Sequence, residues 1–236
     1  RTVNAMHACL LKVPWSGSGK GLNWCLHGFT KPVSNWCERV LREQGCLTAE
    51  PIYNKVKDFA LEFYSDGQGE VRFAGYSVFS TNEHGAYTGN LLASDGQIEE
   101  SIACCLSLEK LTGIREALRA ELASIYGNTY TGYLGVDMMV CWSDKENGYR
   151  VHPCVEINMR MNMGVVARLF YDRFVAPGSK GCFAVEYVPD NETLRARHEQ
   201  DMHDYPLTVE QGRLASGYLP LVPVTGKSCY RAYVRI

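Results

Sequence analysis

No run of 18 uninterrupted apolar residues occurs in this 236-residue chain, and its start lacks the n-region, apolar h-region and cleavage site of a secretory signal. A soluble cytoplasmic protein without a membrane partner is the expectation. An excess of one charge is also lacking. Lys and Arg number 24 against 26 Asp and Glu, a net of −2, which removes the global electrostatic case for a nucleic-acid partner. Ten cysteines are present but no C-x-x-C pair, and several sit in apolar runs, such as Cys104 and Cys105 or Cys141. They read as buried, reduced thiols rather than a disulfide framework or zinc site. The histidines show no H-E-x-x-H pattern, and His198 and His203, five apart, do not share one helical face. Internal repeats and low-complexity tracts are absent too.

What is present is ample core. At 46% apolar content the chain can bury a substantial interior as one large domain or two lobes. It opens without an initiator Met, directly before a strand, and so reads as a piece of a longer polypeptide.

Residues 6 to 15, MHACLLKVPW, predict a short strand carrying Lys12 and ending at Pro14. The stretch SGSGK and Gly21 forms a glycine-rich turn, and LNWCLHG returns as a second strand, a hairpin whose tip presents free backbone N–H groups. Lys31 to Gln44 has Val33, Trp36, Val40 and Leu41 at helical spacing, with Gly45 as the stop. A strand ending near Pro51 follows. DFALEFYS alternates with Phe59, Leu61 and Phe63 on one face, and after the turn DGQG comes the strand VRFAGYSVFST. Asn82 to Gly96 reads as a long, functional loop. Leu108 to Tyr126 is the clearest helix, with a stripe of Leu111, Ile114, Leu118, Leu122 and Ile125. A further helix spans Asn162 to Phe174, and the remainder contains a strand CFAVEYV, a polar helix through Thr193 to His203 and a closing strand YRAYVRI.

The stretch VEINMRMNMG, residues 155 to 164, carries the most chemistry. On a strand, Glu156, Asn158 and Arg160 share one face. A carboxylate, an amide oxygen and a guanidinium so placed suit a magnesium ion and the phosphate oxygens it bridges. Asp137, in the apolar run YLGVDMMVCW, supplies a second carboxylate where an unpaired acid is costly. If the two strands pair antiparallel through SDKENGY, Asp137 meets Glu156 across the sheet.

The glycine loop fits neither common phosphate motif. A Walker A loop ending at Gly19 and Lys20 needs Gly at 14 and Ser or Thr at 21, where Pro14 and Gly21 stand. A dinucleotide fingerprint from Gly17 and Gly19 needs Gly at the place of Leu22.

A strand lysine, a glycine loop and a distant Asp…Glu-x-Asn-x-Arg set together resemble the ATP-grasp superfamily over roughly Leu10 to Val166. The resemblance implies an α+β fold of two lobes with antiparallel sheets and flanking helices, ATP lying in the cleft between them. Residues 1–50 would belong to the central lobe and residues 51–236 to the C-terminal lobe with an extension. By position, Lys12 matches the strand lysine, and Ser16, Gly17, Ser18, Gly19, Lys20 and Gly21 match the mobile phosphate loop. Glu50, Pro51 and Ile52 match the hinge facing adenine and ribose, and Asp58 a second acid near the ribose. Asp137, Glu156 and Asn158 match the ligands of Mg²⁺, with Mn²⁺ as an alternative ion, and Arg160 together with Lys12 matches the catalytic phosphate contacts. Family members normally carry an upstream domain and a further lysine-bearing segment, and only eleven residues precede Lys12.

The implied activity is an ATP-dependent ligase that activates a small-molecule or peptide carboxylate as an acyl phosphate for an amine or, less commonly, a thiol. A small-molecule kinase and a non-catalytic nucleotide-binding module share the same residues. The expected partners are the acceptor, the missing N-terminal portion or a second copy of the chain.

Overall fold

The computed structural model describes residues 8–17, 21–82 and 85–236. The chain divides into two compact units, Arg1–Asn54 with Thr81–Tyr87, and Lys55–Ser80 with Thr88–Ile236.

The first unit contains a three-stranded sheet in the order β2-β1-β3, formed by β1 (Cys9–Lys12), β2 (Leu22–Cys25) and β3 (Thr48–Pro51), with β1 antiparallel to both neighbours. Alternation along β1 buries Cys9 and Leu11 with Cys25 and Cys37, leaving Leu10 and Lys12 on the other face. Helix α1 (Lys31–Gln44) covers the apolar side through Val33, Trp36 and Cys37. Pro32 in its first turn suits a position whose N–H has no helical partner, and Gly45 ends it in the left-handed region at φ 79°, its N–H donating to the Leu41 carbonyl.

The second unit is built on an eight-stranded sheet in the order β12-β13-β9-β6-β5-β4-β7-β8. Its strands are β4 (Asn54–Asp66), β5 (Val71–Thr81), β6 (Tyr87–Leu92), β7 (Thr131–Ser143), β8 (Gly148–Asn158), β9 (Gly181–Tyr187), β12 (Tyr218–Pro220) and β13 (Tyr230–Arg235). A separate pair, β10 (Thr208–Glu210) and β11 (Arg213–Ser216), lies antiparallel. Helices α2 (Asp95–Ala103) and α3 (Leu108–Tyr126) meet Phe59, Leu61, Phe63, Leu134, Val136 and Met138 in one core. Helix α4 (Met163–Phe174) packs Ala167 and Tyr171 against Leu92, Phe183 and Val234 in another. Helix α5 (Asn191–Asp204) is capped by Asp190, which accepts from the Thr193 N–H at 2.9 Å.

The expected loop over Asn82 to Gly96 is corrected. It holds β6 and the start of α2. Asn90 there is 3% exposed and donates to the Ser77 hydroxyl at 2.6 Å, so its polar side chain serves a strand interior rather than a turn. Gly89 is required by closeness, since a Cβ would lie 2.4 Å from the Phe183 carbonyl oxygen. Helix α2 begins in a capping box, Ser94 with Gln97. On α3, Ile125 is 58% exposed and lies outside the core that buries Leu111 and Leu122, so the apolar stripe stops short of it. The cysteines split: Cys9, Cys25, Cys37 and Cys141 are buried free thiols, whereas Cys46, Cys104, Cys154 and Cys229 are exposed. Among the described residues no helix is long and apolar enough to cross a membrane.

Candidate functional site

Strands β7 and β8 form the antiparallel hairpin that the sequence predicts, with Gly135 opposite Asn158 and Asp137 opposite Glu156. Leu134, Val136 and Met138 are buried toward α2 and α3, so Gly135 and Asp137 face the opposite side. The ladder therefore brings two carboxyls together.

Asn158, 7% exposed, joins them by donating from Nδ2 to Asp137 Oδ2 at 3.0 Å. Its Oδ1 accepts from Arg160 Nη2 at 2.8 Å. Burial raises the Asp137 carboxyl to about 7, and the Glu156 charge pushes the same way. The Asn158 hydrogen bond and Arg160 oppose that rise, while Asp58 adds to it. Asp58 itself is ion-paired with Lys55. Excess negative charge thus collects at Asp137 and Glu156, beside the amide oxygen of Asn158.

Hard oxygen donors carrying uncompensated charge fit a small divalent cation better than a soft transition metal. Among the described residues, no group of three or more His, Cys, Asp or Glu side chains is placed to hold a metal ion, so a site here needs the Asn158 amide as its third donor.

A second polar group lies behind this one. Glu62 on β4 is 1% exposed and has no cationic partner among the described residues. Its Oε2 accepts from Asn162 Nδ2 at 3.0 Å, and Asn162 Oδ1 accepts from the Val165 N–H at 2.8 Å, capping α4. Burial drives Glu62 up to about 8, partly offset by the Asn162 bond and reinforced by Asp137. Glycines make room for the pair. A Cβ on Gly135 would lie 1.9 Å from Asn162 Nδ2, and one on Gly164 would lie 2.1 Å from Glu62 Oε1.

In the other unit, Lys12 Nζ and Glu50 Oε2 form an ion pair at 2.6 Å on the sheet face away from α1. Val13 donates to the Gly21 carbonyl at 3.1 Å, closing the base of the glycine turn. Gly21 adopts φ 76°, and a Cβ there would meet Val13 Cγ2 at 2.2 Å.

No family model matches the sequence, and no curated protein matches it. Solved structures do match the fold. The N5-carboxyaminoimidazole synthetase of Staphylococcus aureus, complexed with ADP, superposes at TM-score 0.55 and 12% identity, over 98% of this chain and 58% of that one. The biotin carboxylase domain of the Hydrogenobacter thermophilus 2-oxoglutarate carboxylase, in complex with MgADP, ADP and bicarbonate, gives 0.53 and 12%, over 97% and 53%. The Aspergillus clavatus N5-carboxyaminoimidazole synthase, with ADP and aminoimidazole ribonucleotide, gives 0.56 and 11%, over 96% and 56%. These are ATP-grasp proteins.

The fold is an ATP-grasp fold. This chain spans little more than half the length of those proteins.

Within this ATP-grasp fold the sequence-predicted residues fall into two sets. Asp137, Glu156 and Asn158 are gathered on one hairpin, with Asp58 near enough for its charge to act on Asp137; Arg160 lies just past the end of β8 rather than on its face, and bonds to Asn158. Lys12 and Glu50 are paired in the other unit, which also holds Pro51 at the end of β3, the half-buried Ile52, and the exposed Ser16 and Gly17. Ser18, Gly19 and Lys20 lie outside the described residues. Glu62 was missed by sequence reasoning. Its signal was a lone acid within the otherwise apolar FALEF, a pattern that a solvated strand face also produces.

Proposed function

We propose that this chain binds Mg·ATP and activates a carboxylate for ligation to an amine, the reading best supported by Asp137, Glu156 and Asn158 meeting on one hairpin of an ATP-grasp fold with Arg160 bonded to Asn158 just beyond it. In this reading the two units correspond to the central and C-terminal lobes. Asp137, Glu156 and the Asn158 amide oxygen would hold Mg²⁺, which would supply positive charge against the phosphates. A bound cation would favour the ionised form of Asp137, against the burial that raises its carboxyl.

A substrate carboxylate oxygen attacks the γ-phosphorus, ADP leaves, and an acyl phosphate forms. The amine then adds to the acyl carbon, releasing phosphate and a proton. Arg160, held by Asn158, steadies the transferred phosphoryl group. Lys12 and the loop Ser16 to Gly21 contact the phosphates, and Glu50, Pro51, Ile52 and Asp58 the adenosine. Protein groups supply position and charge rather than covalent chemistry.

The test is calorimetric titration of Mg·ADP and Mg·ATP into the full chain and into Glu156→Gln/Asn158→Ala. Metal-dependent binding lost in the variant supports the reading. Equal binding by both folded proteins would sink it.

A further inference from the structure

We propose that Glu62 is a positioning residue for the segment bearing Asn158 and Arg160, acting through Asn162; the proposal rests on the reading of that segment as the metal and phosphate site. Asn158 ends β8, Asn162 caps α4, and Arg160 lies midway along the short link between them. One end of the link is fixed by the β7 ladder and by the bond from Asn158 to Asp137. The other end is fixed by Asn162, which spends its oxygen on the helix N-terminus and its amide on Glu62.

Two features set Glu62 apart from an ordinary buried acid. First, among the described residues it is held without a cation and with Oε1 buried and unpartnered, an arrangement that costs stability where an apolar side chain between Leu61 and Phe63 would not. Second, the space around the pair is cleared from both sides by Gly135, the register partner of Asn158, and by Gly164 in the first turn of α4. The same pair therefore touches the backbone of the ladder that carries Asn158 and of the helix that follows Arg160. Losing the contact frees the link to shift, and an ångström at the Asn158 amide oxygen is enough to weaken metal-dependent binding.

The test measures ADP affinity with and without Mg²⁺ for the full-length wild type, Glu62→Leu, Glu62→Gln and Asn162→Ser, with folding checked by circular dichroism. Glu62→Leu is expected to lose at least tenfold in Mg·ADP affinity, with metal-free ADP affinity within threefold of wild type. Glu62→Gln keeps an acceptor for Asn162 and should recover to within threefold. Asn162→Ser keeps the helix cap but drops the link to Glu62, so it should match Glu62→Leu, and it stands in if Glu62→Leu does not fold.

Wild-type Mg·ADP affinity in either disruptive variant overturns the inference, as does a loss that Glu62→Gln fails to restore. If the wild type shows no metal-dependent binding, or Glu156→Gln/Asn158→Ala retains it, the proposed function itself fails and this inference with it.

Discussion

Replacing Glu62 by Gln should make the protein more stable, and by an amount that depends on pH. The carboxyl rises from an ordinary 4.5 to about 8 on folding, chiefly because burial strips it of water. The folded protein therefore holds this proton more tightly than the unfolded chain does. Stability from this group is fully present below pH 4.5, is lost as pH rises from there to 8, and changes no further above. At about 1.4 kcal/mol per pH unit, roughly 4 kcal/mol disappears between pH 5 and pH 8.5. Gln is close in shape, carries no titrating proton and retains an acceptor for Asn162. Wild type and Glu62→Gln should thus have similar denaturation midpoints at pH 5, while the variant is ahead by several kcal/mol at pH 8.5. Urea titrations at both values read the difference directly. A gap between the two proteins that stays constant with pH would refute a buried, uncompensated acid at this position.

Asp137→Asn removes a second raised carboxyl, so it should stabilise the fold at pH 8 and not at pH 4 while abolishing metal-dependent ADP binding; denaturation and calorimetry on the same sample separate the two effects. Gly164→Ala gains about 1 kcal/mol of helix propensity, but its Cβ would sit 2.1 Å from Glu62 Oε1, so a net loss of about 1–2 kcal/mol is expected in urea. Arg231, 5% exposed, donates to Glu186 at 2.7 Å and Asp201 at 2.6 Å; Arg231→Met takes this partner from Asp201 and leaves Glu186 with Arg197, and should cost about 3 kcal/mol, read as an earlier denaturation midpoint. Ser94→Ala breaks the capping box of α2 and should cost about 1 kcal/mol by the same measurement.

Much of the architecture was legible because local signals agreed with one another. Pro32 and Gly45 bracket α1, and the predicted bounds Leu108 to Tyr126 are those of α3. The alternate polar positions after Val155, together with Asp137 upstream, contain the hairpin pairing of Asp137 with Glu156. What escaped depended on the other layers of the molecule. Phe59, Leu61 and Phe63 read as one buried face, yet Ala60 and Glu62 are buried too, because β4 lies inside the sheet with cores on both sides. Period-two patterning cannot announce a buried acid whose partner is 100 residues away. The strand β6 was hidden among turn-forming residues that pair with β5 and β9. By contrast the S-x-x-Q box of α2 was present in the local sequence and was simply outweighed by its glycines.

Strand β8 is the last strand of its sheet, and its ladder to β7 is interrupted between the Asp137–Glu156 and Met139–His152 pairs, around Pro153. A proline cannot donate to a neighbour, and the irregularity bends the free margin away from flatness. The border nearest Asp137 and Glu156 is therefore a poor template for a foreign strand, which discourages misassembly by edge-to-edge growth there.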